Sequence, residues 1–242
     1  CGGRNVAEQT PIAQLTADGR LRHIAFIMDG NGRWAKAQGK PREYGHIKGA
    51  EVFRKIVRYC GDIGIGCVTC YTFSAENWKR PRIEVEALMR LLQKYVLDAF
   101  SEVHENQIQL HFIGDLSAFP EKMRAQMKQV EKDSAEYQKI LNIAINYGSR
   151  QEIVHAANTL IGQGIKTITP ELLEGALYTA HCPPLDLIVR TGAELRLSNF
   201  LLWQAAYAEF YFSDVLWPEY KEADVDAAVR EFYHRKRRFG GV

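Results

Sequence analysis

Nowhere in the 242 residues does a stretch free of Asp, Glu, Lys and Arg exceed 13 residues, Ile63 to Ala75 being one of that length. A membrane-spanning helix needs 18 or more apolar residues, so none is predicted. An excess of one charge is also missing. The 31 basic and 29 acidic residues leave +2, where a nucleic-acid coat would be strongly basic, so nucleic acid is not an expected partner. A GxGxxG fingerprint, a GxxxxGK[ST] loop, a fixed-period repeat and a Pro/Gly/Ser linker are all absent. Their absence removes dinucleotide-fold, P-loop, solenoid and linked two-domain readings. No secretory leader pattern is visible, and the chain starts at Cys1 rather than Met, as a trimmed longer polypeptide would. Cysteine is scarce and odd in number, at five. In a chain large enough to bury its own core this predicts reduced thiols and a cytoplasmic location. Cys67 and Cys70 form a lone CxxC inside an apolar, β-branched run. Neither Cys60 nor Cys182 supplies a second pair at zinc-ligand spacing, so all are read as core thiols.

What is present is an ordinary globular composition, 46% hydrophobic and 25% charged, in a length that suits one large domain or two small ones. Residues 1–22 are polar, lack periodicity and read as a mobile amino-terminal arm, leaving 23–242 as the folded domain. Six apolar runs predict strands at 23–28, 67–73, 108–113, 140–145, 186–189 and 210–212. Between them, helical spacing of apolar residues predicts helices near 46–62, 83–105, 120–136, 151–160, 170–178 and 219–237. Strand alternating with helix is the signature of a mostly parallel sheet covered on both faces, hence a single α/β domain. Ligands of such sheets gather beyond the carboxyl ends of the strands. The polar and glycine-rich segments fall at those ends: Asp29–Gly32, Ser74–Asn77, Asn146–Gly148 and Arg190–Ser198.

These segments carry anion-binding chemistry. In Asp29-Gly30-Asn31-Gly32-Arg33-Trp34 the two glycines let backbone N–H groups approach a phosphate, and the helix that follows offers its positive end. Arg33 adds a guanidinium and Asp29 a ligand for a hard metal ion. Arg42, His46 and Gly49 lie before or in the first turns of the next helix. Ser74, Asn77, Trp78 and Arg80 sit in Phe73-Ser74-Ala75-Glu76-Asn77-Trp78-Lys79-Arg80-Pro81, whose plain structural reading is an N-capped loop. Arg190, Arg196 and Ser198 can form a fork for a diphosphate, because guanidinium matches phosphate oxygens bidentately. Glu209 follows the apolar Trp203–Ala208 and needs a metal or an arginine partner if buried. One acidic loop and three arginine-bearing loops together suit an anionic, diphosphate substrate with Mg2+.

The motifs HIAFIMDGNGRWAKAQG, YTFSAENWKRP, LNIAINYGSR and DLIVRTGAELRLSNFLLWQAAYAEFYFSDVLWPEY resemble the cis-prenyltransferases, above all the bacterial undecaprenyl diphosphate synthases, in order across residues 23–241. The resemblance implies a mainly parallel sheet ringed by helices around a hydrophobic tunnel, and a homodimer. It implies a Mg2+-dependent enzyme that condenses isopentenyl diphosphate repeatedly onto an allylic diphosphate such as farnesyl diphosphate. The product would be a long cis-polyprenyl diphosphate delivered to the membrane, the undecaprenyl carrier of cell-wall synthesis. By the same resemblance Asp29 holds Mg2+, with Glu209 as a second ligand. Gly30, Asn31, Gly32, Arg33 and Arg42 bind the allylic diphosphate, and His46, Ser74 and Asn77 act near the reacting carbons. Trp34, Trp78 and Arg80 shape the site. Arg190, Arg196 and Ser198 bind isopentenyl diphosphate, and Arg238 with Gly240 reaches a partner subunit's site. Asp29, His46 or a phosphate oxygen could take the proton from isopentenyl C2. The chain has no Asp-Asp pair, which disfavours the trans-acting synthases with their DDxxD segments. A non-catalytic, lipid-binding subunit is the rival of another class, and it predicts loss of the Asp and Arg residues that are present. Two departures stand out. Ala193 occupies a place where the family usually has Gly, and Lys139 lies near the expected tunnel floor.

Overall fold

The computed structural model describes residues 10–235. Its six strands are β1 (His23–Ile27), β2 (Cys67–Ser74), β3 (Ile108–Ile113), β4 (Lys139–Tyr147), β5 (Leu187–Arg190) and β6 (Glu209–Phe212). They form one sheet in the order β3-β4-β2-β1-β5-β6, and every pairing is parallel. This is the α/β sheet that the alternating pattern predicts. All five residues of β1 and all four of β5 are buried, as expected of strands covered on both faces. The period of two still sorts the side chains. Ile24 and Phe26 enter one apolar layer, with Ile56, Val96 and Val229. Ala25 and Ile27 enter the other, with Tyr147, Phe200 and Leu201.

The helices are α1 (Ile12–Thr16), α2 (Asn31–Ala37), α3 (Arg42–Asp62), α4 (Arg82–Asn106), α5 (Glu121–Asp133), α6 (Ser149–Gly162), α7 (Pro170–Ala176) and α8 (Glu222–His234). Pro11, Pro41, Pro81 and Pro120 stand immediately before α1, α3, α4 and α5. A proline's fixed φ and missing N–H are harmless at that position and stop a helix from extending backwards.

The reading of an arm over residues 1–22 differs from what the described part shows. Residues 1–9 lie outside the described residues. Ile12 and Leu21 are in the core beside Val225 and Tyr233 of α8, Thr16 donates to the Ile63 carbonyl, and Arg230 donates to Thr10 O at 2.9 Å. Three anchors for so short a segment were not visible as periodicity, because five residues make little more than one helical turn.

The order of the strands positions the site. From β1 the chain moves to β2 on one side, and it returns on the other side with β5. The loops leaving β1 and β5 therefore diverge and open a crevice at their carboxyl ends. Asp29 leaves β1 and Arg190 ends β5, at either side of that crevice.

Candidate functional site

The backbone at the end of β1 is clamped before any side chain is considered. Asp29 N and O both meet the Thr191 hydroxyl, at 3.0 and 2.7 Å, and Trp217 N donates to Asp29 O at 3.0 Å. Gly30 has φ +111°, and a Cβ there would strike Leu216. Gly32 faces the Arg42 guanidinium, 2.9 Å from where a Cβ would lie. Gly49 in α3 leaves room for Asn31, whose Oδ1 a Cβ would meet. These glycines let neighbouring side chains approach the backbone closely.

The charged side chains converge on this clamp. Arg190 is 3% exposed. Its guanidinium donates to Asp29 Oδ2 at 2.9 Å, to Ser198 Oγ at 2.8 Å and to the Arg196 carbonyl. Arg33 lies 3.5 Å from Asp29 Oδ1 and donates to the Gly192 carbonyl. Across the crevice, Glu84 of α4 receives Arg80 at 2.8 Å and Arg42 at 3.4 Å. Glu84 thus holds two of the predicted arginines, and the Arg80–Glu84 spacing of four was its only trace in the sequence. Ser74 and Asn77 form a capping box on the turn after β2, as the capped-loop reading expects, and both also line the cavity described below. Asn77 Oδ1 accepts from Ser74 N at 3.1 Å.

His46 sits between these groups. Burial, then the Arg80 and Arg42 cations, push its pKa from 6.5 down to about 4. Its Nε2 is buried without a hydrogen-bond partner. Asn31 Oδ1 and Arg190 Nε are buried and unpartnered as well. Buried polar atoms are normally satisfied, and three orphans around one opening make it a candidate site for a polar ligand.

That opening leads into a cavity of about 770 Å³, within the usual size range of small-molecule sites. Asp29, Asn31, His46, Ser74, Asn77, Arg80, Arg190, Arg196 and Ser198 line its mouth. Beyond the mouth its walls are mainly apolar, with Phe53 and Val57 of α3, Leu88 and Leu92 of α4, and Leu141 and Ile143 of β4, while Arg54, Arg58 and Asn106 also line it. Arg150, Glu76 and Asn199 also line it; all three stood in quoted motifs without a role. Asn199 Oδ1 accepts from Arg150 N at 2.9 Å, and its Nδ2 donates to Glu76 at 3.0 Å. The aromatic pair predicted to shape the site stands at its flanks. Trp34 stacks on Tyr44 and donates to Glu219, and Trp78 donates to Asn146 at 2.7 Å.

Glu209 is not part of this mouth. It starts β6 at the level of Leu187, while Phe212 is level with Arg190. At about 3.3 Å per residue it lies roughly 10 Å down the sheet from Arg190, and its carboxylate meets Arg235 at 3.2 Å. Of the two partners the sequence allows it, the arginine is the one found within this chain. Asp29 alone still fits Mg2+, which is commonly bound by one or two carboxylates with phosphate and water oxygens completing its shell. Arg238 and Gly240 lie outside the described residues. Lys139, expected near a tunnel floor, is exposed and does not line the cavity.

Residues 27–240 match the prenyltransferase family model described as undecaprenyl diphosphate synthase. An isoprenyl transferase of Fusobacterium nucleatum is 46% identical over 222 residues, covering 91% of this chain and 96% of its own. One of Clostridium tetani is 44% identical over 236 residues, covering 95% and 92%. Among solved structures, lavandulyl diphosphate synthase from Lavandula x intermedia, in complex with dimethylallyl diphosphate, superposes with a TM-score of 0.87 at 33% identity. That match covers 93% of this chain and all of the other. A probable undecaprenyl diphosphate synthase from Campylobacter jejuni gives 0.77 at 34% identity, covering 91% and 99%.

Proposed function

Because the chain belongs to the undecaprenyl diphosphate synthase family of prenyltransferases, we propose that it condenses isopentenyl diphosphate repeatedly onto farnesyl diphosphate. Each new double bond is cis, and the product is undecaprenyl diphosphate, the lipid carrier of cell-wall synthesis. The observation that carries this reading is the single cavity with a cationic mouth and hydrocarbon walls. A short polar metabolite has no use for the walls, and a simple lipid carrier has no use for the mouth.

Asp29 is the proposed Mg2+ ligand. Mg2+, when bound, draws charge off the departing diphosphate. Backbone N–H groups of Gly30–Arg33, with Arg33 and Arg42, hold the allylic diphosphate, and Arg190, Arg196 and Ser198 hold the isopentenyl diphosphate. With both ends fixed, the alkene pair of isopentenyl diphosphate displaces diphosphate from allylic C1, and orientation supplies much of the rate. A proton then leaves isopentenyl C2. Asp29 is engaged by Arg190, and His46 resists protonation down to about pH 4. We assign the proton to an oxygen of the departing diphosphate, with His46 and Asn77 as hydrogen-bonding guides. The exposed Leu195, Tyr207 and Phe212 beside the β6 edge suit a homodimer contact. Among the described residues no helix is long and apolar enough to cross a membrane. On the family reading we place the enzyme in the cytoplasm, handing its product to the bilayer.

The test is incubation with farnesyl diphosphate, labelled isopentenyl diphosphate and Mg2+, with and without EDTA, followed by product sizing. Chain growth that EDTA abolishes is expected, and no growth under any condition overturns the reading. Asp29→Asn keeps the shape and the Arg190 hydrogen bond but loses the charge. Its turnover should fall at least about 100-fold, the scale of a lost electrostatic stabiliser, with little change in unfolding midpoint.

A further inference from the structure

At the opposite, amino-terminal edge of the sheet a second cluster has no part in the chemistry above. His23 begins β1, Cys67 begins β2 in direct register beside it, and Cys182 lies in the loop before β5. Their ligand atoms all fall within 4.8 Å of one another, the one such convergence of three His, Cys, Asp or Glu side chains among the described residues. We propose that His23, Cys67 and Cys182 form a structural site for a thiophilic divalent cation of the Zn2+ type, which pins the Cys182 loop to the sheet.

The surroundings are those of a ligand set rather than of three core residues. His23 Nδ1 faces the Pro183 carbonyl at 3.1 Å. A carbonyl only accepts, so Nδ1 carries the hydrogen and Nε2 turns its lone pair inward. Backbone carbonyls orient metal-binding imidazoles in this way. The Asn142 amide nitrogen lies 3.1 Å from Cys182 Sγ and 3.7 Å from Cys67 Sγ. Its oxygen is engaged by His181 at 2.8 Å, so its N–H side is fixed toward sulfur. Nε2 accepts from the Thr69 hydroxyl at 2.7 Å, and Thr69 Oγ1 accepts from Asn142 Nδ2 at 2.9 Å, so a bound cation takes the place of the Thr69 proton on Nε2 and water fills the fourth position.

Charge and size agree. Two thiolates and a neutral imidazole cancel a divalent cation, and a buried site must be near neutral. Zn–S and Zn–N bonds of about 2.3 and 2.0 Å give tetrahedral edges of roughly 3.5 Å. Closure from the present spread moves the donors by about an ångström at most. His23 and Cys67 are fully buried, but Cys182 is half-buried and His181 exposed, which provides a way in. Mg2+ prefers oxygen ligands and does not compete.

The experiment uses the full chain, chelator-treated and reduced, titrated with Co2+ and with Zn2+ in millimolar Mg2+. The expected result is a thiolate-to-cobalt charge-transfer band saturating at one equivalent and displaced by Zn2+. One equivalent of Zn2+ should also raise the unfolding temperature. Cys182→Ser should lose the band and the shift while keeping prenyltransferase activity in Mg2+. Cys60 and Cys70 stay in that variant as internal controls. Absence of the band in the parent protein, or its survival in Cys182→Ser, overturns the site. If Cys182→Ser fails to fold, Cys182→Ala and His23→Gln are read in the same way.

Discussion

Single residues already show where this protein departs from comfort. Ala193 has φ +59°, a left-handed conformation that costs an L-residue about 1–2 kcal/mol. The family resemblance implies glycine at this position, and the positive φ is one that glycine adopts without strain. Ala193→Gly should therefore stabilise the protein by about 0.5–1 kcal/mol, part of the gain being offset by glycine's entropy. Calorimetry should show a rise of about 2 °C at this chain length. His46 makes a second residue-scale prediction. Its folded pKa, about 4, is below that of the unfolded chain, so the unfolded state binds the proton first as pH falls. Stability held above pH 6.5 is lost progressively on the way down to pH 4, by up to about 3 kcal/mol from this group. Denaturant midpoints taken across that range should fall in the parent and fall less in His46→Asn. An equal slope in the two proteins would sink the assignment.

At the scale of elements, the join between β1 and α3 governs the site. Trp217 is 1% exposed, packs on Phe26 and Tyr220, and donates from Nε1 to the Gly49 carbonyl at 2.8 Å. Its backbone also holds Asp29. Trp217→Ala should cost about 3–5 kcal/mol by cavity formation, read as a drop in urea midpoint. Trp217→Phe should cost less, losing the second hydrogen bond to the Gly49 carbonyl, about 0.5–1.5 kcal/mol. The strands were legible because a buried parallel strand is an apolar run, and each run agrees with its strand to within two residues. The short α2 was legible only as a helix beginning after a loop, since it starts inside the glycine segment itself. Helix α1 was not legible at all. Its two buried residues, Ile12 and Thr16, make one contact stripe too short to register as a period.

For the whole molecule the sequence names nearly every side chain of the mouth but not the depth behind it. The apolar residues walling the cavity have the same spacing as core residues, and only the fold shows which face open space. The His23–Cys67–Cys182 cluster escaped for a related reason: partners on separate strands and loops have no shared spacing in the chain. The far end of the cavity yields the last prediction. Arg58 donates to Asn106 at 3.0 Å, and both line the cavity as well as a smaller recess of about 230 Å³ behind it, which Lys139 borders. Arg58→Ala should join the two spaces and shift the product distribution upward by one or two isoprene units. Lys139→Leu should leave it unchanged, and chromatographic sizing of the products distinguishes the outcomes. A last consequence follows from the segment after β5, where Ser198, Asn199 and Leu201 share the left-handed backbone of Ala193. Such a segment is wound tight in advance by Phe200 and Leu201 beneath it, both fully buried. Its cost is met while the polypeptide folds, so the segment holds Arg190 through the Arg196 carbonyl and Ser198 Oγ before any ligand arrives. Heat tolerance and readiness to react are thus drawn from one reserve, and substitutions that relax the segment trade the second for the first.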